Sequence, residues 1–364
     1  MNITILAYLY PRQPGGVETW LGEVAPRLSR ENTLTLATWV DPGNVPLIEE
    51  RYRLPVVNMA GLGRGYAPTP HALTRFVKIL THTDLVYYVI SHVQVIRLVP
   101  ILQTITRTPF IAGHHVGADT FSEHVIPFMK GASFYKLFAA NHVLNKEHTA
   151  ILTRLGYKKI YHISNGITLH AWQSKHAKSD GPFKILFVGR LVEQKGVDML
   201  PAILHSLKNT IPDFEFHVGG DGPLRGLVSS LAEGGCGRVV WHGYVSGDEK
   251  RELYASSHVL VAPSRRMEAF HLVGLEAMAS GTPVVASDIP DPREYVRDGF
   301  NGYLVRGVEE MVERMCEVYT AWRRGDPSYY ELCRNARRTA EEYDWGRVVP
   351  RLERMFREVA GGGR

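Results

Sequence analysis

Residues 183–209 read FKILFVGRLVEQKGVDMLPAILHSLKN, and this stretch passes through a strand, a loop and a helix in order. Phe183 to Gly189 is a short apolar run of the kind carried by a buried strand, and Val197 to Asn209 has the length and spacing of a helix. Gly189, Arg190 and Lys195 fall in or beside the loop between them. A helix N-terminus presents unpaired N–H groups and a positive dipole end, so two cations next to it suit a diphosphate. Solvated loop charges are the plain alternative.

The same alternation extends in both directions. Ile3 to Tyr8 reads as a strand, Pro11 to Gly16 as a turn, and Val17, Trp20, Leu21, Val24 and Leu28 recur on one helical face. Further strands are expected at Leu34 to Val40, Pro55 to Asn58, Leu85 to Val89, Phe110 to Gly113, His142 to Leu144 and Ile160 to Ile163. Beyond residue 183, strands are expected at Phe214 to Gly219, Val239 to Trp241, His258 to Ala262 and Pro283 to Ser287, and helices at Asp248 to Ser256 and Leu272 to Ser280. Strands alternating with helices imply parallel sheets covered on both faces. The polar stretch at 173–182, QSKHAKSDGP, lacks apolar periodicity and ends in Gly-Pro. We therefore expect α/β domains at 1–173 and 183–344, each Rossmann-like and doubly wound, facing one another across a cleft. A linker at 174–182 joins them, and a basic amphipathic segment at 345–364 closes the chain. Ligands of such sheets lie outside the carboxyl ends of the strands.

Composition narrows the class. The chain has 364 residues, a two-domain length, and 45% of them are hydrophobic, so a core of ordinary size needs no disulfide staples. Cys236, Cys316 and Cys333 are widely spaced, without a C-x-x-C pair or zinc-finger spacing, so a reducing, cytoplasmic setting is the default. The longest apolar stretch, Leu85 to Leu102, is interrupted by His92, Gln94 and Arg97, and no basic region precedes the N-terminal apolar run; neither a membrane span nor a signal peptide is expected. The net charge of +5 divides into +7 for residues 1–180 and −2 for the remainder. That basic half is either an ordinary surface or the face for an anionic partner, such as a phospholipid surface. Its basic residues are scattered, so nucleic acid is not expected as a partner.

Gly15 and Gly16 stand between the first strand and the first helix, where they serve either a turn or a close backbone approach to phosphate or sugar. Gly219, Gly220 and Gly222 look like part of a dinucleotide fingerprint, but Arg225 occupies the third glycine position, and no P-loop pattern occurs. His114 and His115 end a strand. In Pro263 to Gly281, PSRRMEAFHLVGLEAMASG, Glu268 and Glu276 lie eight positions apart. On one continuous helix they would be ~12 Å apart, beyond the roughly 5–5.5 Å pair of a retaining glycosidase. Glu276 lies in an otherwise small and apolar helix, so something polar is expected to meet it.

Taken together, GGV, VGRLVEQKG, GGDGPL, WHGYVS, EAFHLVGLEAMASGTPVVASD and DGFNGYLV resemble the nucleotide-sugar glycosyltransferases of family 4, which have the GT-B fold. The resemblance runs from Ile3 to the last helix, with SNGI at 164–167 and DWGRVVPRLERMF as supporting signals. It implies that the final helix crosses back onto the N-terminal, acceptor-binding domain. It also implies that Arg190 and Lys195 hold the donor diphosphate, Glu276 the ribose, and Glu268 the sugar hydroxyls. The backbone of Phe270, His271 and Leu272, with Gly15 and Gly16, would meet the distal phosphate; Gly189 would line the loop, Tyr244 and Val245 the base, and His115 the sugar. Ala269 and His271 stand where the family often has Gly, and Thr168 where it often has Asp. The function implied is a retaining, metal-independent transfer of a hexose from a UDP- or GDP-sugar to a glycan or lipid-linked acceptor. No cofactor is expected beyond the nucleotide sugar itself, and a peripheral contact with an anionic membrane fits the basic half. The alternatives are a sugar-nucleotide epimerase on the same fold and a non-catalytic nucleotide-sugar binder.

Overall fold

The computed structural model describes residues 1–9, 15–59, 70–90, 99–115, 138–172, 178, 181–234, 238–266, 268 and 270–362. The sequence also offers an aromatic-basic stretch, Val125 to Phe138, as either a lipid face or ordinary core; all of it but the buried Phe138 lies outside the described residues, as do most of the expected linker and Ala269. The chain divides into two compact units, residues 1–165 with 345–364 and residues 166–344.

The first unit holds seven parallel strands: β1 (Asn2–Leu6), β2 (Thr33–Thr38), β3 (Val56–Asn58), β4 (Leu85–Val89), β5 (Phe110–His114), β6 (Ala140–Val143) and β7 (Ile160–His162). Their order is β3-β2-β1-β4-β5-β6-β7, so the winding reverses between β1 and β4. All five residues of β4 are buried, with Leu85, Tyr87 and Val89 in one core and Val86 and Tyr88 in the other. Alternate side chains of a strand point to opposite faces. A strand buried on both faces therefore reads as a continuous apolar run, as Leu85 to Val89 does.

The helix Gly16–Leu28 covers one face with Trp20, Leu21, Val24 and Leu28, and the helix Trp345–Gly361 lies beside it. Trp345, Val348, Val349, Leu352, Met355, Phe356 and Val359 of that last helix are buried in the same core, at spacings that keep to one helical face. Its polar flank is tied down by Tyr161 Oη donating to Glu358 at 2.9 Å and Arg351 donating to the His162 carbonyl at 3.1 Å.

The second unit has six parallel strands, β8 (Phe183–Val188), β9 (Phe214–Gly219), β10 (Arg238–Trp241), β11 (Val259–Ala262), β12 (Val284–Ser287) and β13 (Gly302–Val305), in the order β10-β9-β8-β11-β12-β13. β13 and the helices Val308–Arg323 and Pro327–Glu342 go beyond the expected elements. The boundary between those helices follows local rules nonetheless. Gly325 takes a left-handed φ of 66°, and the Asp326 side chain caps the next helix by accepting from the Ser328 N–H at 2.8 Å, with Pro327 at the first turn. Among the described residues, no helix is long and apolar enough to cross a membrane.

Because Phe356 is 1% exposed and packs against Tyr87 with ring centroids 5.5 Å apart, Phe356→Ala should cost about 3–5 kcal/mol. Urea unfolding of the full chain, followed by a probe in the first unit, measures it; a loss below about 1 kcal/mol would mean that the helix does not hold this core together.

Candidate functional site

In the second sheet the winding reverses between β8 and β11, and a crevice opens outside the carboxyl ends of strands at such a point. The two loops there carry most of the charged residues singled out in the sequence. After β8 the chain makes a short 3-10 turn, Glu193–Lys195, and Gly196 leaves it in the left-handed region at φ 72°. A Cβ at Gly196 would lie 1.9 Å from the Pro263 carbonyl oxygen, so only glycine lets the β8 loop lie against the β11 loop. The Arg265 N–H donates to the Gln194 carbonyl at 2.9 Å, and the Arg265 side chain pairs with Asp198, fastening the two loops together.

Lys195 and Arg190 occupy different environments. The Lys195 side chain is buried and forms an ion pair with Glu268 from the β11 loop. Arg190 is exposed: its carbonyl accepts from the Val192 N–H at 3.0 Å, while its side chain makes no hydrogen bond or ion pair among the described residues. Gly189 donates its N–H to the Gly219 carbonyl at 3.0 Å, and Leu191 donates to the Asp221 carbonyl at 2.9 Å, so the loops after β8 and β9 are laced together below Arg190.

Glu268 does not share a helix with Glu276, because the helix starts only at Leu272 and ends at Ala279. The Glu268 N–H donates to the Asp291 carboxylate. Asp291 is 1% exposed, and its carboxyl is pushed up to about 8, chiefly because burial penalises the charged form. The Glu268 N–H and Lys195 oppose that shift, while the Glu268 and Glu294 charges add to it. His271, the residue before the helix, is buried. Tyr295 Oη donates to the His271 carbonyl at 3.0 Å, so its oxygen accepts from His271 Nδ1–H at 2.9 Å. Burial first and then the neighbouring Lys195 charge hold the imidazole well below its usual range, so the ring is neutral and clamped. Tyr295 reaches it only because residue 274 is glycine; a Cβ there would lie 2.2 Å from the tyrosine oxygen. Phe270 is buried against Tyr295 and Tyr343, and Leu272 is partly exposed at the start of the helix.

Glu276 has the polar company that its apolar helix demands. Tyr254 Oη donates to Glu276 Oε2 at 2.8 Å, and Lys250 Nζ lies 2.7 Å from the same oxygen. Oε1 keeps no partner among the described residues. The Lys250 ammonium also lies over the Trp172 and Tyr254 rings, 5.4 and 5.7 Å from their centroids. Nearby in chain order, Tyr244 is 78% exposed while Val245 is buried against Gly219.

In the first unit, Gly15 caps the helix Gly16–Leu28; its N–H donates to Glu18 at 2.8 Å, and the space over Gly16 is open to at least 4 Å. His114 is fully buried with Nε2 2.9 Å from Asn141 Oδ1, whereas His115, just past the end of β5, is partly exposed. Sequence reading missed Asp291, Tyr295, Tyr254, Lys250 and Trp172. Lys250 and Tyr254, four apart on the helix Gly247–Ser256, share one face, and that spacing was the available signal.

Residues 182–321 match the family described as Glycosyl transferases group 1. An uncharacterized glycosyltransferase of Methanocaldococcus jannaschii is 28% identical over 76% of this chain and 74% of its own length. The phosphatidyl-myo-inositol mannosyltransferase of Mycobacterium tuberculosis is 30% identical over 55% of this chain, a match that spans about half of that protein, 54%. The crystal structure of Anabaena HepE in complex with UDP superposes with a TM-score of 0.80 over 98% of this chain and all of the other, at 18% identity. The fold is therefore that of the GT-B glycosyltransferases, with two parallel-sheet α/β domains. The second unit carries a Glycosyl transferases group 1 domain, and relatives of the chain are named glycosyltransferases.

A carboxyl that is neutral when folded and ionised when unfolded weakens the fold as pH rises. With Asp291 near 8 and an unfolded aspartate near 3.8, that contribution is fully present at pH 3.8 and below and is lost as pH climbs to 8. Asp291→Asn should remove the decline, gaining stability relative to the parent from pH 5 to pH 8. Parallel curves for parent and variant in denaturant melts across that range would refute the assignment.

Proposed function

We propose that this glycosyltransferase moves a hexose from a UDP- or GDP-sugar to a hydroxyl acceptor, lipid-linked or on a glycan, with retention of configuration and without a metal ion. The observation that carries the reading is the pair of cations in the loop at the reversal of the second sheet, an exposed Arg190 and a buried Lys195 whose charge acts on His271 at the start of the helix Leu272–Ala279. A diphosphate placed there meets two cations and unpaired backbone N–H groups from Phe270, His271 and Leu272. In this reading Glu276 Oε1 takes the ribose and Glu268 the sugar hydroxyls, Tyr244 and Val245 lie by the base, and Gly189 lines the loop. Gly15, Gly16 and His115 of the first unit serve the distal phosphate and the sugar. The UDP complex of HepE supports a uridine donor by likeness of fold.

The chemistry follows from where charge develops. The bond from the anomeric carbon to the diphosphate oxygen breaks, the acceptor oxygen bonds to the same face of the sugar, and the acceptor proton passes to the departing phosphate. Negative charge on the diphosphate grows as the bond breaks, so preorganised cations act most strongly in the transition state. Burial strengthens this effect at Lys195. The Glu268 carboxylate meanwhile keeps Lys195 paired before a diphosphate arrives.

Sugar nucleotides should raise the melting temperature of the protein by mass action, with UDP- and GDP-sugars the effective ones in a panel that includes ADP-sugars. Activity should persist in excess EDTA. Arg190→Ala and Lys195→Ala should each remove about 2.7–4 kcal/mol of transition-state stabilisation. That corresponds to a roughly 100- to 1,000-fold loss of kcat, with a smaller rise in donor KM. Arg190→Lys should recover only part of it, because a point charge does not replace a planar fork. Near-normal kcat in both alanine variants would reduce the two cations to solvated loop charges.

The basic balance of residues 1–180 and the phosphatidyl-myo-inositol named in the mycobacterial relative support a lipid-linked acceptor at an anionic cytoplasmic membrane face. Binding to anionic vesicles should weaken sharply as salt rises, and neutral vesicles should bind poorly. Equal, salt-insensitive binding to both would move the acceptor toward a soluble glycan.

A further inference from the structure

His115 ends a chain of hydrogen bonds whose direction is forced from its far end. A carbonyl oxygen only accepts, so the Ile163 carbonyl, 2.7 Å from His142 Nε2, takes the proton of that nitrogen. His142 is 1% exposed, and burial holds its imidazole down at about 4, so it carries one proton and its Nδ1 is bare. Tyr87 Oη lies 2.5 Å from that Nδ1 and must donate to it. The Tyr87 oxygen then accepts from His115 Nε2–H at 2.8 Å. His115 is itself held neutral by burial and by the nearby His142 and His114. Its single proton is thus committed to Tyr87, and Nδ1 is left as a lone pair with no partner among the described residues.

The rings are fixed as well as the protons. Trp20 stacks on Tyr87 with centroids 5.3 Å apart and meets the His115 ring edge-on at 4.7 Å, while Phe356 of the last helix packs against Tyr87 from another side. A Cβ at Gly113 would lie 2.4 Å from the Tyr87 oxygen, so the hydroxyl reaches between the two histidines only across a glycine. Every proton in this chain has an acceptor, and reversing any of the bonds would strand a buried donor or acceptor, so one arrangement is specified.

We propose that Tyr87 and His142 are positioning residues that lock His115 with its proton on Nε2, so that Nδ1 accepts a hydrogen bond from a sugar hydroxyl of the donor. The ligand side of this inference rests on the reading of the protein as a nucleotide-sugar glycosyltransferase. The lock itself rests on the first unit alone. A bare Nδ1 repels a phosphate oxygen and attracts a hydroxyl proton, so the lock makes His115 a reader of the sugar and not of the diphosphate.

Two measurements on the full chain test this. Long-range proton–nitrogen NMR of protein labelled with nitrogen-15 histidine, assigned with His115→Gln and His142→Gln, should show both rings protonated at Nε2 and bare at Nδ1 at neutral pH. Tyr87→Phe should leave His115 a mixture of tautomers; a His115 ring carrying its proton on Nδ1 in the parent overturns the lock. Calorimetric titration with UDP and UDP-glucose, and with GDP and GDP-mannose, supplies the second readout. Tyr87→Phe and His142→Leu should lower the ratio of sugar-nucleotide to nucleotide affinity roughly 3- to 10-fold, the worth of one hydrogen bond, with free-nucleotide affinity unchanged. His142→Asn, whose Oδ1 takes the place of Nδ1, should retain the ratio. A purely structural role would lower thermal stability and leave the ratio alone, and that result overturns the proposal. If no sugar nucleotide binds even the parent, the donor reading fails and the sugar-reading role falls with it, while the tautomer spectrum still decides the lock.

Discussion

A parallel sheet leaves no face to water, and that requirement sets where everything polar in this protein can go. In β4 all five side chains are buried, and the cores on the two sides of the first sheet share its alternating residues. Functional groups are thereby driven to the strand ends, where loops lie against one another. The reversals of strand order, between β1 and β4 and between β8 and β11, select which ends matter, because neighbouring helices there lie on opposite faces and leave a crevice. Gly15, Arg190, Lys195 and Glu268 all belong to connections that follow strands at such a reversal, and Gly16 opens the helix after the first of them.

The two units handle buried polarity in opposite ways. The second keeps charges and pairs them: Lys195 with Glu268, and Lys250 with Glu276, each pair largely removed from water. A lone charge in such a place costs far more than a matched pair, which is why Asp291, with a carboxylate neighbour, takes up a proton instead. The first unit buries histidines and keeps them neutral. Desolvation pulls His114 and His142 down to about 4, and hydrogen bonds occupy His114 Nε2, through Asn141, and both His142 nitrogens, through Tyr87 and the Ile163 carbonyl. Charge suits the recognition of a diphosphate; a neutral ring of fixed tautomer suits the recognition of hydroxyls.

His271 illustrates how far a departure from a familiar pattern can be read without coordinates. A side chain where glycine is common suggests either an added donor or a ring turned aside. The structure gives the physical resolution: Nδ1–H is committed to Tyr295, whose own proton goes to the His271 carbonyl, and Gly274 makes room for the tyrosine. Residues 271, 274 and 295 thus form one packing unit.

The fold was legible in the chain itself because strands buried on both faces need unbroken apolar runs and helices need a repeating apolar stripe, and both are local patterns. The same holds for the loop positions of Arg190, Lys195 and Glu268, which follow from counting past strand ends, and for the last helix, whose apolar stripe fills the first core. The short strand β13 escaped because Gly302 to Val305 follows directly on the turn-rich DGFNG at 298–302, which reads as a loop. What tertiary structure alone decided is partnership. Lys195 and Glu268 are 73 positions apart in sequence, Glu276 finds its cation on a preceding helix, and the proton on His115 is set by a carbonyl at Ile163. A hydrogen bond or an ion pair depends on distance and direction in space, and a linear pattern of apolar residues fixes neither until the sheets have closed.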